Sequence, residues 1–128
     1  MKCLLITGAS AGIGLHTAET FHKAGYEVIN LSRRQCPLDF VTHLSCDLSD
    51  PGFIDQIGAE IRPVFEQAEL ITLVHNAARL VNDNAAETPS DQLRAVVETN
   101  LIAPNSLNHL AIPFMRAGSA ILYVGSTL

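Results

Sequence analysis

Apolar residues run unbroken through Cys3-Leu4-Leu5-Ile6, and Leu70-Ile71-Thr72-Leu73-Val74-His75 is nearly as continuous. Runs of this kind fit strands covered on both faces, as in a parallel sheet. The first strand is predicted over residues 2–7 and the fourth over Leu70–His75. Glu27-Val28-Ile29-Asn30-Leu31, Val41-Thr42-His43-Leu44-Ser45 and Ala120-Ile121-Leu122-Tyr123-Val124 supply the second, third and fifth. Helical stretches lie between them. One runs from Gly12 to Ala24, with Gly25 as its stop. Another opens at Asp50-Pro51, where a carboxylate can cap orphan N–H groups and proline suits the first helical position. A long one begins at Thr88-Pro89-Ser90-Asp91, whose spacing resembles a capping box.

Strands alternating with helices predict an α/β fold, a doubly wound parallel sheet of the Rossmann type with right-handed crossovers. The strand order expected is 3-2-1-4-5, incomplete at the C-terminal edge, where an unpaired fifth strand favours association with another chain. The sequence has no repeat, charge run or linker, and 128 residues make one domain at most, a dinucleotide-binding domain over 1–128.

Chemistry first enters at Thr7-Gly8-Ala9-Ser10-Ala11-Gly12-Ile13-Gly14, directly after the first strand. A strand feeding a helix through a turn without bulky side chains aims unpaired backbone N–H groups, and the positive end of the helix dipole, at an anion. Gly8 permits the tight turn, Gly12 lets the backbone approach a pyrophosphate, and Gly14 lets the helix pack closely on the strand. An ordinary strand-to-helix loop can carry the same glycines, but the flanking strand and helix are the context that dinucleotide binding requires. At the end of strand two, such folds usually place an acidic residue against the adenosine ribose. Here Ser32-Arg33-Arg34 stands instead. Guanidinium groups pair with an added phosphate where a carboxylate repels it, so NADP(H) is expected rather than NAD(H). A solvated loop arginine is the alternative for either position.

Composition and charge narrow the partners. Apolar residues make up 48% and charged ones 16%, which excludes a disordered segment. The net charge of -5 and the scattered lysines and arginines exclude a general nucleic-acid surface. No apolar stretch approaches the ~18 residues of a membrane span, and the start of the chain is too short for a signal peptide's apolar region, so a cytoplasmic protein without membrane contact is expected. Cys3, Cys36 and Cys46 lack Cys-x-x-Cys spacing, and His16, His22, His43, His75 and His109 are dispersed. Free thiols and no metal follow from that pattern.

The spacing Thr-Gly-x-x-x-Gly-x-Gly resembles the short-chain dehydrogenase/reductase family. Its other marks follow in order: Asp47 in Cys-Asp-Leu, Asn76-Ala77-Ala78, Asn100 and Ser126. The resemblance covers the whole chain. It implies that Gly8, Ser10, Gly12, Ile13 and Gly14 hold the cofactor, with Ser32, Arg33 and Arg34 at the ribose. Asp47 would meet the adenine amino group, Leu48 would lie beside the ring, and Asn76, Ala77 and Ala78 would run past the adenosine side. By itself Asp47 also fits a turn residue ahead of the Asp50 helix start. The family's usual Asn-Ala-Gly reads Asn-Ala-Ala here, so Ala78 adds a methyl. Asn100 belongs by resemblance to the catalytic tetrad, its backbone carbonyl holding a water. Pro104 has no N–H to give to that carbonyl, just as Pro113 has none for His109, although either proline can equally be a simple kink. Ser126 would hydrogen-bond the substrate carbonyl.

The resemblance implies hydride transfer between a nicotinamide and a small carbonyl or alcohol substrate, in a full-length protein that is a homo-oligomer. The family's Tyr-x-x-x-Lys pair is expected a short way past Ser126, and the sequence ends at Leu128. The chain therefore reads as the front part of an enzyme, able to bind cofactor but not to turn substrate over. Tyr26 and Tyr123 have no lysine four residues on and read as packing residues, Tyr123 within a buried strand. A non-catalytic dinucleotide-binding or sensor module is the competing reading, and Asn100 and Ser126 speak against it. A P-loop hydrolase would need a Gly-Lys-Ser or Gly-Lys-Thr that is not there.

Overall fold

The computed structural model describes residues 1–81, 84 and 86–126. Strands β1 (Lys2–Thr7), β2 (Tyr26–Ser32), β3 (Val41–Ser45), β4 (Leu70–His75) and β5 (Ala120–Tyr123) form a single parallel sheet in the order β3-β2-β1-β4-β5. This is the predicted α/β architecture and strand order. In register, Leu5 of β1 faces Ile29 of β2 and Leu73 of β4, so the apolar runs lie side by side at the centre. Successive side chains leave a strand on opposite faces, and an unbroken apolar run therefore feeds two cores. On one face Leu5, Ile71 and Leu73 pack with Ile57, Ile61 and Phe65 of helix α2 (Phe53–Gln67) and Leu107 of helix α4 (Ala103–Ala111). On the other, Leu4, Ile6, Val28 and Val74 meet Ala18 of helix α1 (Gly12–Lys23).

Between β4 and α4 runs helix α3 (Ser90–Val97), followed by a π-helical turn over Glu98–Ile102 and, after α4, a 3-10 turn over Ile112–Phe114. The predicted long helix is thus one path with a widened turn in it. In that turn the Ala103 N–H reaches back to the Glu98 carbonyl, and Pro104 enters at the start of α4. The proline is accommodated by this change of register rather than by a break.

Helix starts depart from the predicted chemistry. Asp50 and Pro51 form a turn ahead of α2, with the Gly52 N–H donating to Asp50 Oδ1 at 3.0 Å and the Phe53 N–H to the Asp50 carbonyl at 3.1 Å. Pro51 therefore lies outside the helix. The capping box at α3 does not form, because the Thr88 hydroxyl donates backward to the Asn84 carbonyl at 2.7 Å and Pro89 occupies the capping position. Tyr123 is 62% exposed rather than buried, since β5 is the edge strand and Leu122 and Val124 beside it are exposed as well.

Phe65 is 1% exposed between α2 and the sheet, so Phe65→Ala leaves a cavity that its rigid neighbours cannot fill. The variant is expected to lose about 3–5 kcal/mol of unfolding free energy in urea titrations.

Candidate functional site

The glycine-rich turn is held by its own backbone and by the end of β4. Gly8 has φ 74, a conformation that side chains rarely tolerate, and its N–H donates to the Leu31 carbonyl at 3.0 Å. A Cβ on Gly14 would overlap the Gly8 carbonyl oxygen and stand 2.5 Å from Asn76 Nδ2, so α1 approaches the turn as closely as a glycine permits. The buried Thr7 hydroxyl accepts from the Asn76 N–H at 3.1 Å and the Ala77 N–H at 3.0 Å, and Asn76 Nδ2 donates to the Gly8 carbonyl at 3.1 Å. Asn76 thus has a structural duty whatever it does for a ligand. Space around Gly12 is open, with nothing within 4 Å of where a Cβ would sit. Ala11 caps α1 in extended backbone without a side-chain hydrogen bond, so the first N–H groups of the helix receive no side-chain cap. That is the condition an anion-binding helix start requires.

Asn30, to which no sequence motif pointed, is the polar centre of the site. It is fully buried in β2, and its Oδ1 accepts from the Ala9 N–H at 2.8 Å. Its Nδ2 donates to Ser32 Oγ at 2.9 Å and to His43 Nδ1 at 3.1 Å, and Ser32 Oγ donates to the Arg34 carbonyl at 2.6 Å. One amide therefore connects the turn after β1 to the arginine loop after β2. An asparagine within Val28-Ile29-Asn30-Leu31 was the available signal, because a buried amide must find partners.

These loops enclose a cleft of about 880 Å³ at the C-terminal ends of the strands. Gly8, Ser10, Ser32, Arg33, Arg34, Asp47, Leu48, Asn76, Ala77 and Ala78 all line it, as do Arg79 and Thr99, which no sequence motif indicated. Gly12, Ile13, Gly14, Asn100 and Ser126 lie outside that lining. A smaller hollow of about 440 Å³, lined among others by Tyr26, Phe40 and Glu60, opens at the start of β2, away from all of them.

Asp47 Oδ1 accepts from the Ser49 hydroxyl at 2.7 Å and the Ser49 N–H at 2.9 Å, the turn geometry considered for it from sequence. Those hydrogen bonds, with smaller help from the positive charges of Arg33 and Arg79, hold its carboxyl below the usual aspartate value. Asn100, in the π turn, clasps the segment after β4. Its Oδ1 accepts from the Arg79 N–H at 2.7 Å and its Nδ2 donates to the Arg79 carbonyl at 2.8 Å. Ser126 is exposed beyond the end of β5.

Deeper in the sheet, His75 Nε2 donates to Asn108 Oδ1 at 2.7 Å, and Asn108 Nδ2 donates to the Tyr123 hydroxyl at 2.8 Å. The His75 and Tyr123 rings lie 4.6 Å apart, and His75 Nδ1 is buried without a hydrogen-bond partner among the described residues. Burial lowers the His75 pKa, partly offset by the bond to Asn108. The Tyr123 hydroxyl is thereby tethered to Asn108, although most of the side chain is exposed. Burial, then the charge of Glu27, pushes the Cys3 thiol up to about 12. Burial, then the charge of Asp47, pushes Cys46 up to about 11. Neither supplies a thiolate near neutral pH. All three cysteines are free and buried. Among the described residues no cluster of His, Cys, Asp or Glu is placed to hold a metal, and no helix is long and apolar enough to cross a membrane.

Gly14→Ala is expected to cost about 1–3 kcal/mol in urea unfolding, as the helix start is forced off the turn. His75 gives a second test. Its folded pKa lies below the ordinary 6.5, so its contribution to stability is complete above pH 6.5 and is lost as pH falls from there through the folded value. The urea midpoint of the natural chain should therefore drop between pH 7.5 and 5 more steeply than that of His75→Gln.

The family model for short chain dehydrogenases matches residues 2–128. Dehydrogenase/reductase SDR family member 7B of Bos taurus is 30% identical over 129 residues, covering 88% of this chain and 39% of that protein. The chain therefore spans well under half the length of that relative. Among solved structures, an oxidoreductase of the short chain dehydrogenase/reductase family from Brucella ovis, in complex with a partially ordered NAD, is 36% identical with a TM-score of 0.78, over 88% of this chain and 56% of that one. The L-sorbose reductase of Gluconobacter frateurii, complexed with NADPH and L-sorbose, is 28% identical with a TM-score of 0.82, over 98% of this chain and 52% of that one. On its fold, its glycine turn and these likenesses, the chain belongs to the short-chain dehydrogenase/reductase family of oxidoreductases.

Proposed function

We propose that this chain is the cofactor-binding part of an NADP(H)-dependent oxidoreductase acting on a small carbonyl or alcohol compound. The observation that carries the reading is Arg33 and Arg34 lining the same cleft as the glycine turn, at the end of β2 where a carboxylate would select against an added phosphate. The open space at Gly12 and the uncapped start of α1 fit a pyrophosphate. When bound, the nicotinamide supplies or takes up the hydride.

The chain's own residues bind and orient. Arg33 and Arg34 pair with the 2′-phosphate of the adenosine ribose, and Asn30 fixes the loop that carries them through Ser32. Asp47 stays ionised at neutral pH and has Oδ2 to accept from the adenine amino group while Oδ1 serves Ser49. The Asn100 carbonyl, whose α-helical partner would be the N–H that Pro104 lacks, holds a water. Ser126 hydrogen-bonds the substrate oxygen. Neither Tyr26 nor Tyr123 is followed by a lysine four residues on, so residues 1–128 bind cofactor without turnover. Exposed Leu93, Val97, Leu101 and Ile102 along the α3–α4 path support a homo-oligomer as the working form; a cytoplasmic location is part of the same proposal.

Isothermal titration of NADPH and NADH tests the cofactor choice. NADPH should bind at least about tenfold more tightly, the worth of one or two charge-assisted hydrogen bonds, and Arg33→Ser should remove most of the difference. Equal affinities in the natural chain would overturn the reading.

A further inference from the structure

Arg79 follows the Asn76-Ala77-Ala78 segment and lines the cleft opposite the arginine loop of β2. Its backbone is held at both ends by one side chain, the N–H by Asn100 Oδ1 and the carbonyl by Asn100 Nδ2. The point from which its side chain leaves is thereby set before any ligand arrives, which lowers the ordering cost of a contact. Among the described residues no carboxylate lies within salt-bridge distance of its guanidinium. Arg79, Asp47 and Arg33 line the same cleft, and the charges of both arginines help hold the Asp47 carboxyl below its ordinary value. A guanidinium plane on a fixed stem, in a cleft whose carboxylate can accept from an amino group, is suited to a flat aromatic base that carries an exocyclic amine.

We infer that Arg79 is a binding residue for the adenine ring, stacking its guanidinium on the face of the base from the β4 side while Asp47 takes the amino edge. The inference rests on the dinucleotide reading above, but not on the choice between NADP(H) and NAD(H). The adenine is common to both cofactors, so Arg79 contributes to both, whereas Arg33 contributes to the 2′-phosphate alone. The arginines of the cleft therefore differ in what they bind, Arg33 and Arg34 the phosphate and Arg79 the base.

The test is a titration of the purified protein and its Arg79→Met, Arg79→Lys and Arg33→Met variants with NADP+, NAD+ and 5′-ADP, with thermal melting to confirm that each variant is folded. Arg79→Met should weaken all three ligands by a similar factor, about tenfold. Arg79→Lys keeps the charge and loses the plane, so it should recover only part of the affinity. Arg33→Met should weaken NADP+ and leave NAD+ and 5′-ADP unchanged. Unchanged affinities in Arg79→Met would overturn the inference, and so would full recovery in Arg79→Lys or a loss confined to NADP+. A natural protein that binds NADP+ and NAD+ equally, with both weakened by Arg79→Met, would remove the NADP preference and leave the role of Arg79 standing. One that binds none of the three ligands would overturn both.

Discussion

Gly14 rests so closely on the Gly8 carbonyl and the Asn76 amide that no side chain fits between them. This contact sets the height of α1 above the sheet and, with it, the distance from the first helical N–H groups to the ends of the strands. The Thr7 hydroxyl then accepts two N–H groups from the segment after β4, joining the strands on which the site is built. Because β1 is the central strand, with β2 on one side and β4 on the other, every loop that lines the cleft is referred to this point. A shift here moves the glycine turn, the arginine loop and the segment after β4 together.

The polar groups below the cleft extend the same constraint sideways. Burying an amide such as Asn30 is unfavourable unless its hydrogen-bonding capacity is met, and here it is met by the turn, by Ser32 and by His43 at once. The network costs desolvation and returns definition, since a loop bearing two like-charged arginines is held through Ser32 and Asn30 to the glycine turn. Asn100 does the equivalent on the other flank with a pair of bonds to a single residue. Each flank of the cleft is thus fixed by an asparagine side chain acting on backbone.

How much of this was legible from sequence depended on the range of the interaction. The strands, their order and the glycine turn follow from patterns contained in a few neighbouring residues, and all five strands lie where apolar runs place them. The starts of α2 and α3 are not legible in this way because Asp50 and Thr88 have more than one local partner, and the partner taken depends on where the preceding turn lies. The clasp of Asn100 on Arg79, the pairing of His75 with Asn108 and the bond from Ala9 to Asn30 join residues far apart in the chain. No local rule supplies them. The exposure of Tyr123 is hidden for a related reason, since an apolar strand at an edge has the same sequence character as one at the centre.

The sheet is also graded from middle to edge. Leu4, Leu5 and Ile6 in β1 are wholly enclosed, whereas Leu122, Tyr123 and Val124 around the end of β5 are open to solvent. Local opening is cheapest where few apolar groups are covered, so the chain frays from the β5 side while the β1–β2 side exchanges its amide hydrogens last. The glycine turn and the arginine loop adjoin the enclosed strands, and Ser126 lies beyond the open one. A substitution around β5 therefore disturbs few enclosed contacts and leaves the geometry at the glycine turn in place.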